Sequence, residues 1–206
     1  LVVNQAKKLG VPIIYLNMVG GQDELVFDGG SFVINGEGEI LYQAQQFEEE
    51  LFYIDLDLEV KEHPKQSNLE IRQKSFELEP LQSALPLSKN ESLYAALKLG
   101  LFDYVSKNNF EKVLVGLSGG IDSALTATIA VDALGSNNVI GVALPSKYNT
   151  EESLVDAKSL AKNLDIEFKV IEIEEMVNIF RNTLSESVNE ELGQTTDENI
   201  QSRVRG

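Results

Sequence analysis

The 206-residue sequence contains no cysteine and one histidine, His63. The absence of cysteine excludes disulfides, thiolate metal sites and a cysteine nucleophile within this chain. His63 stands beside Pro64 in a polar stretch, which argues against a histidine-based triad, and one histidine cannot build a multi-histidine metal site. No window offers the roughly 20 apolar residues of a membrane span, and no basic segment precedes an apolar one at the start. We therefore expect a soluble, cytoplasmic protein.

Basic side chains are also scarce. Lysine and arginine number 17 against 33 aspartates and glutamates, which gives a formal net charge of -16. An evenly acidic chain argues against general binding to nucleic acid or to anionic membranes, since both need basic surface. A local anion site remains compatible with this charge, because backbone groups can build one.

The sequence falls into three segments that differ in composition and in hydrophobic pattern. Residues 1–58 read as mostly β, residues 59–87 are polar with three prolines and no clear period, and residues 88–206 alternate helix and strand. We interpret the middle segment as a linker. In the first part the patterns predict a helix at 2–9 ended by Gly10, a strand at 12–16, a hairpin of strands 31–35 and 39–44, and an alternating strand at 51–58.

The second part predicts repeated β-α-β units. A capping box at 88–91 opens a helix, and a capping box at 195–198 opens the last one. Short connections between the alternating elements imply a doubly wound parallel sheet, whose ligands bind at the carboxyl ends of the strands. The predicted strands are 113–117, 139–144 and 168–173, and the helices between and after them are 121–134, 151–164 and 174–184. The apolar run at 113–117 predicts a buried strand.

A glycine turn follows the first of these strands directly, in the order Ser118-Gly-Gly-Ile-Asp-Ser123. Two glycines let the backbone turn tightly and let an anion approach its N–H groups. The helix that starts next favours a phosphate through its dipole and unpaired N–H groups. Asp122 would repel a bare phosphate, so its presence is explained if it binds a Mg²⁺ that bridges the phosphates. The motif has neither the Walker A spacing nor the Gly-x-Gly-x-x-Gly pattern; the plainer alternative is an ordinary strand-to-helix turn.

The Ser-Gly-Gly-x-Asp-Ser motif resembles the pyrophosphate loop of the ATP pyrophosphatases, a family with an adenine nucleotide alpha hydrolase-like fold. Segments 93–105, 116–126, 131–135, 144–148 and 198–206 look like glutamine-dependent NAD synthetase. Segment 17–31 resembles the C-terminal part of the nitrilase-like glutaminase domain of these synthetases. The resemblance thus implies the C-terminal part of a nitrilase-like α/β sandwich at 1–58, followed at 88–206 by the N-terminal part of a doubly wound synthetase domain.

The resemblance implies ATP-dependent amidation of deamido-NAD (nicotinate adenine dinucleotide) to NAD. ATP adenylates the nicotinate carboxylate with release of pyrophosphate, and ammonia from glutamine then displaces AMP. The implied cofactors are ATP and Mg²⁺, and the implied assembly is a homo-oligomer without nucleic-acid or membrane partners. The implied ATP-binding residues are Gly116, Leu117, Ser118, Gly119, Gly120, Ile121, Asp122, Ser123 and Leu144, with Asp122 also holding the metal.

The last predicted helix carries the residues that the resemblance assigns to deamido-NAD: Glu198, Asn199, Gln201, Arg203 and Arg205. Asn199 and Arg203 are four residues apart and share one face of a helix. The alternative is a solvated helix end whose arginines only interact with the negative end of the helix dipole.

The sequence departs from the family in lacking the cysteine nucleophile of the glutaminase, so no glutaminase catalytic residue is expected here. We expect this chain to begin after that cysteine and to end before a second Mg²⁺ carboxylate. By itself it is then expected to be inactive. Other readings stay open: a tRNA-modifying or GMP synthetase-like ligase with the same loop, a non-catalytic nucleotide-binding module, or a scaffold segment whose loop is unused.

Overall fold

The computed structural model describes residues 1–54, 56, 82–145, 151–188 and 193–205, without the side chains of 151, 188, 194 and 197. The chain divides into two compact units, Leu1–Ala96 and Leu97–Gly206. The predicted linker lies mostly outside the described residues, as does His63. Within the described parts of the chain, no helix combines the length and the apolar character that crossing a bilayer requires.

The described residues of the first unit include a short N-terminal helix and two small antiparallel sheets. Helix α1 (Val2–Leu9) ends at Gly10, whose φ of 64° places it in the left-handed region, as the sequence predicts. The predicted hairpin is also confirmed. The strands are β1 (Ile13–Tyr15), β2 (Val19–Gln22), β3 (Leu25–Asp28), β4 (Phe32–Ile34) and β5 (Ile40–Gln43). One sheet has the order β1-β4-β5 and contains the predicted hairpin as β4 and β5, while β2 pairs with β3 in a second hairpin.

The strand predicted at 51–58 is wrong over its described part, because residues 51–54 and 56 have no strand structure. Its apolar face is nevertheless used: Phe52, Ile54 and Leu56 pack against the buried cluster of Val33, Tyr42 and Ala44. The outer edge of β5 is occupied by another segment, since the carbonyl of Gln43 accepts the N–H of Ala84 at 2.8 Å. Residues 51–54 and 56 therefore have no strand structure, and their apolar side chains pack against the core.

The second unit is an α/β unit with a parallel sheet, which confirms the predicted fold class. Its strands β6 (Val113–Gly116), β7 (Val139–Ala143) and β8 (Glu167–Val170) lie in the order β6-β7-β8. In the sequence, helix α3 (Ile121–Leu134) connects the first two strands, and helix α4 (Glu151–Asn163) lies between the last two. Helix α2 (Lys89–Lys107) precedes the sheet; α5 (Glu174–Val188) and α6 (Gln194–Arg205) follow it.

Small residues bring the helices of this unit close to the sheet. Ala127 and Ala130 of α3, and Ala157 and Ala161 of α4, are at most 2% exposed and share one core cluster with Val139. Burial of these apolar side chains is the main favourable contribution to packing the helices on the sheet. Leu117, the residue that follows β6, belongs to the same cluster.

Two local predictions need correction, and a third is confirmed. Strand β6 is not buried on both faces, because Leu114 is 71% exposed while Val113 and Val115 face the core. Helix α6 begins at Gln194, so Thr195 lies inside the helix; the carbonyl of Gly193 accepts the Thr196 N–H at 3.0 Å and closes the first turn. The capping box of α2 is confirmed, since the Ser88 N–H donates to the Glu91 carboxylate at 2.9 Å.

Tyr42 gives the first unit a specific pH dependence. Its side chain is buried, and its hydroxyl donates to the Glu50 carboxylate. Burial first, and then the bond and the negative charge of Glu50, raise the pKa of Tyr42 to about 12. Because the unfolded pKa is about 10, the folded state holds this proton more tightly. The resulting stabilisation is present below pH 10 and is lost as the pH rises through 12.

We predict that Tyr42→Phe abolishes this loss of stability at high pH. In urea titrations between pH 9 and pH 12, the natural chain should lose roughly 2 kcal/mol of unfolding free energy that the variant keeps. Tyr53→Phe, at a 63% exposed tyrosine of the same unit, serves as the matched control and should retain the natural slope. Equal slopes for Tyr42→Phe and the natural chain would contradict the prediction.

Candidate functional site

The carboxyl edge of the parallel sheet holds the predicted glycine turn. The ladder continues one residue past β6, since the Leu117 N–H donates to the Val142 carbonyl at 2.8 Å and the Leu117 side chain is buried. The backbone then leaves the sheet at Ser118 and enters α3 at Ile121. Ser118, Gly120, Ile121 and Asp122 are exposed, so this turn presents its polar groups to solvent.

Gly119 makes the sharp turn possible. Its φ of 82° lies in the left-handed region, which residues other than glycine rarely adopt. A Cβ at this position would lie 2.5 Å from the carbonyl oxygen of Ser153 and 2.8 Å from its Cα. The turn therefore packs against the backbone of the first turns of α4, a contact that the sequence does not indicate.

The start of α3 is open toward the turn. Gly120 is its N-cap residue, and no described side chain caps its first turn. The first N–H groups of a helix have no partner inside the helix and carry partial positive charge, so they attract anions. Asp122 lies in this first turn with an exposed carboxylate.

The two serines of the turn bond to each other and to its backbone. Ser123 Oγ accepts the N–H of Ser118 at 3.2 Å and donates to the carbonyl of Gly120 at 2.9 Å. Ser118 Oγ accepts the Gly120 N–H at 3.2 Å and lies 3.1 Å from Ser123 Oγ. The residues from Ser118 to Ser123 thus form one closed network at the start of α3.

Helix α6 is anchored next to the same edge of the sheet. Ile200 packs with Ile173 and Val177 in a buried cluster, and Leu144, the residue after β7, packs against that cluster. The structure therefore brings Leu144, one of the expected ATP-binding residues, into the packing that holds α6. Ser146 and Lys147, which follow Leu144 in the sequence, lie outside the described residues.

The residues predicted on α6 do not share one environment. Asn199, Arg203, Glu198 and Arg205 are exposed. Gln201, in contrast, is 5% exposed, and its Nε2 has no hydrogen-bond partner among the described residues. Gln201 is two positions from both Asn199 and Arg203, a rotation of about 200° around the helix, so it lies on the opposite side.

Glu174, at the start of α5, was not predicted. Its Oε2 is buried without a hydrogen-bond partner in the described part of the chain. The sequence offers no sign of this, since acidic residues are common throughout and Glu174 stands in an acidic run. No group of three or more histidine, cysteine, aspartate or glutamate side chains that could hold a metal ion occurs within the described ranges.

Asp28, at the end of β3, has a structural role. Its two oxygens accept amide N–H groups from Asn17 and Gln46, each at 3.1 Å. The backbone N–H of Asn17 in turn donates to Ser31 Oγ at 3.0 Å. These bonds tie the ends of the β2–β3 hairpin together, and they occupy Asp28 as an acceptor.

The fold and the turn define an α/β protein in which a parallel strand passes through a glycine turn into the open N-terminus of a helix, an arrangement that suits phosphate groups. Comparison with known proteins gives two matches to families: NAD synthase over residues 93–206 and carbon-nitrogen hydrolase over residues 1–63. Because the NAD synthase match covers more than half of the sequence, the chain belongs to the NAD synthase family.

Individual relatives agree with the family. The chain is 44% identical to the glutamine-dependent NAD(+) synthetases of Thermotoga maritima and Aquifex aeolicus, with 95% and 94% of this chain aligned. A solved structure of glutamine-dependent NAD+ synthetase from Acinetobacter baumannii, in complex with ADP, matches with a TM-score of 0.82 and 38% identity over 99% of this chain. The chain spans 37% of the length of each of the two relatives and 36% of the solved chain. These findings confirm the resemblance to glutamine-dependent NAD synthetase.

We predict that Gly119→Ala is far more costly than Gly135→Ala. Both glycines have nearly the same positive φ, 82° and 83°, but a Cβ at Gly135 meets nothing within 4 Å. Gly135→Ala thus measures backbone strain alone, about 1–3 kcal/mol. Gly119→Ala adds the collision with Ser153, and we expect at least a further 1 kcal/mol of lost unfolding free energy. Equal losses in urea titrations of the two variants would contradict the close contact.

Proposed function

We propose that this chain acts in NAD biosynthesis, in a ligase that amidates deamido-NAD to NAD at the expense of ATP. ATP adenylates the nicotinate carboxylate, pyrophosphate leaves, and ammonia displaces AMP. The observation that carries this proposal is the glycine turn from β6 into the uncapped start of α3, in a chain that belongs to the NAD synthase family. Its resemblance to synthetases named as glutamine-dependent supports glutamine as the source of the ammonia.

The proposed ATP site is residues 116–123 with Leu144. The first N–H groups of α3 and the turn at Gly119 would hold the phosphates, which places fixed dipoles where negative charge develops on the departing pyrophosphate. Leu144, at the carboxyl end of β7, would contact the adenine. The position of Leu144 against the cluster that anchors α6 supports a shared site for both substrates.

Mg²⁺ is the proposed metal, and Asp122 is its proposed ligand. Magnesium prefers hard oxygen ligands and is commonly held by one or two carboxylates together with substrate phosphates. The exposed carboxylate of Asp122 in the first turn of α3 fits this need. When bound, the ion would neutralise phosphate charge that the carboxylate would otherwise repel.

The proposed deamido-NAD site is α6. Asn199 and Arg203 are exposed on one face, and an arginine guanidinium suits the phosphates of a dinucleotide. Glu198 and Arg205 belong to the proposed set by position. Gln201 belongs to it because its buried Nε2 has no partner in the described residues. The same proposal includes a homo-oligomeric, cytoplasmic protein with small-molecule substrates and without nucleic-acid or membrane partners, as the family resemblance implies and the charge of -16 supports.

The Asp122 carboxylate provides the sharpest test of this function. In the full-length protein, with ammonium chloride as nitrogen source, Asp122→Asn should lower NAD formation at least 100-fold, because phosphate charge is no longer balanced by the bound metal. Asp132→Asn, ten residues further along the same helix, is the matched control and should stay within twofold of the natural protein. Unchanged NAD formation in Asp122→Asn would refute the metal role.

The role of α6 is tested separately. Arg203→Ala should raise the KM for deamido-NAD about tenfold or more while leaving the KM for ATP within twofold, because a charged hydrogen bond to one substrate is lost. Lys162→Ala, at a cation in the last turn of α4, is the control for loss of one positive charge. A rise in both KM values, or in neither, would contradict the assignment of this face to deamido-NAD.

A further inference from the structure

The connection between β4 and β5 contains the one Asn-Gly step of the sequence, Asn35-Gly36. Asparagine is most reactive before glycine, because glycine has no side chain to hinder the approach of its own nitrogen. That nitrogen can attack the carbon of the asparagine side-chain amide and expel ammonia. Asn35 is therefore a candidate for covalent modification, and its surroundings decide when the reaction can occur.

The side-chain amide of Asn35 is held at both of its polar atoms. Its Oδ1 accepts the backbone N–H of Glu37 at 3.1 Å and that of Glu39 at 2.8 Å. Its Nδ2 donates to the carboxylates of the same two glutamates, at 3.1 Å and 2.9 Å. The neutral amide is thus the group that lets two negative side chains meet in one short connection.

The backbone around this amide is fixed as well. The Asn35 N–H donates to the Glu39 carbonyl at 2.9 Å, and the Asn35 carbonyl accepts the Gly38 N–H at 3.0 Å. Gly36 lies against the end of α1, since a Cβ at Gly36 would be 2.8 Å from the carbonyl carbon of Gly10. The reacting glycine is therefore held by a contact from outside the connection.

These contacts oppose the reaction. To close a succinimide ring, the Asn35 amide must turn its face toward the Gly36 nitrogen and must lose Nδ2. In the folded connection, Nδ2 is the atom that both carboxylates hold, and Oδ1 is fixed by two backbone N–H groups. The ring can therefore form only in molecules whose connection has opened locally.

We propose that Asn35 is a self-modification site that is protected while the β4–β5 connection is closed. When the connection opens, the Gly36 nitrogen gives its proton to solvent and bonds to the Asn35 Cγ. The bond from Cγ to Nδ2 breaks, and Nδ2 takes a proton from solvent and leaves as ammonia. Water then opens the succinimide at either carbonyl, which gives aspartate or isoaspartate. Each site consumes one water and releases one ammonia, without an oxidant or a cofactor.

The product cannot rebuild the closed connection. A carboxylate at position 35 has no N–H to donate to Glu37 or Glu39, and it places a third negative charge beside theirs. Hydrolysis of the amide thus turns a temporary opening of the connection into a permanent one. Nucleotide binding plays no part in this chemistry.

The rate of the reaction is measured in the full-length protein. Folded protein, and the same protein unfolded in urea, are incubated in mildly alkaline buffer, and the peptide of residues 32–43 is followed by mass spectrometry. Conversion of Asn35 should be at least about tenfold slower in the folded protein, because only the open fraction reacts.

A variant of the connection shows whether its hydrogen bonds give the protection. Glu39→Ala removes one acceptor of the Asn35 amide and should speed conversion in the folded protein about fivefold, without changing it in urea. Glu24→Ala, at an exposed glutamate between β2 and β3, is the matched control and should leave both rates unchanged. Glu37→Ala removes the other acceptor and serves if Glu39→Ala does not fold, as judged by circular dichroism.

The effect of the product is measured separately. Asn35→Asp should make hydrogen–deuterium exchange of residues 32–43 about tenfold faster in the full-length protein. Adding Glu39→Gln to this variant restores an amide opposite a carboxylate, and should return the exchange rate to within about threefold of that of the natural protein.

Each outcome supports or overturns the proposal. Equal conversion of folded and urea-unfolded protein would overturn the protection, and so would equal rates for folded Glu39→Ala and the natural protein. No conversion of Asn35 in urea would overturn the site itself. Unchanged exchange in Asn35→Asp, or no recovery when Glu39→Gln is added, would overturn the role of the new charge in keeping the connection open.

Discussion

The proposed chemistry depends on one contact between two stretches of backbone, at Gly119 and Ser153. The chain must leave strand β6 and start helix α3 within four residues, and the first turns of α4 pack against the bend. A side chain at Gly119 would lie 2.5 Å from the Ser153 carbonyl oxygen, so the bend exists only with glycine. This constraint holds the first N–H groups of α3 at the edge of the sheet, where phosphates can reach them. The serine network then closes the bend from the inside.

Much of the second unit could be predicted because its sequence marks its own boundaries. Helix α3 runs over the predicted residues because Gly120 and Gly135 bracket an apolar run. The order of strands and helices followed from the same alternation. The exposed side of β6 could not be predicted, since Leu114 stands in an unbroken apolar run and its surroundings are set by tertiary packing. Periodicity cannot distinguish a strand covered on one face from a strand covered on both when every residue is apolar.

The first unit shows a different limit. The hairpin of β2 and β3 is not predicted from the sequence, because Gly20 and Gly21 lie inside β2 and glycine is a poor strand former. Its turn includes Asp23 at a φ of 50°, which is unusual for a residue other than glycine.

In the candidate site of the second unit, the glycine turn and the shared helix face of Asn199 and Arg203 could be predicted from residue type and spacing. The burial of Gln201 and the contact of Gly119 with Ser153 could not, because both depend on which helix packs against which.

The central claim is that this turn binds ATP for cleavage between the α- and β-phosphates. The most direct measurement is the nucleotide product formed by the full-length protein from ATP, deamido-NAD and ammonium chloride, followed by phosphorus NMR. The account predicts AMP and pyrophosphate in equal amounts with the NAD formed, since the adenylate forms by loss of pyrophosphate. Release of ADP and inorganic phosphate, or NAD formation that needs no ATP, would contradict it.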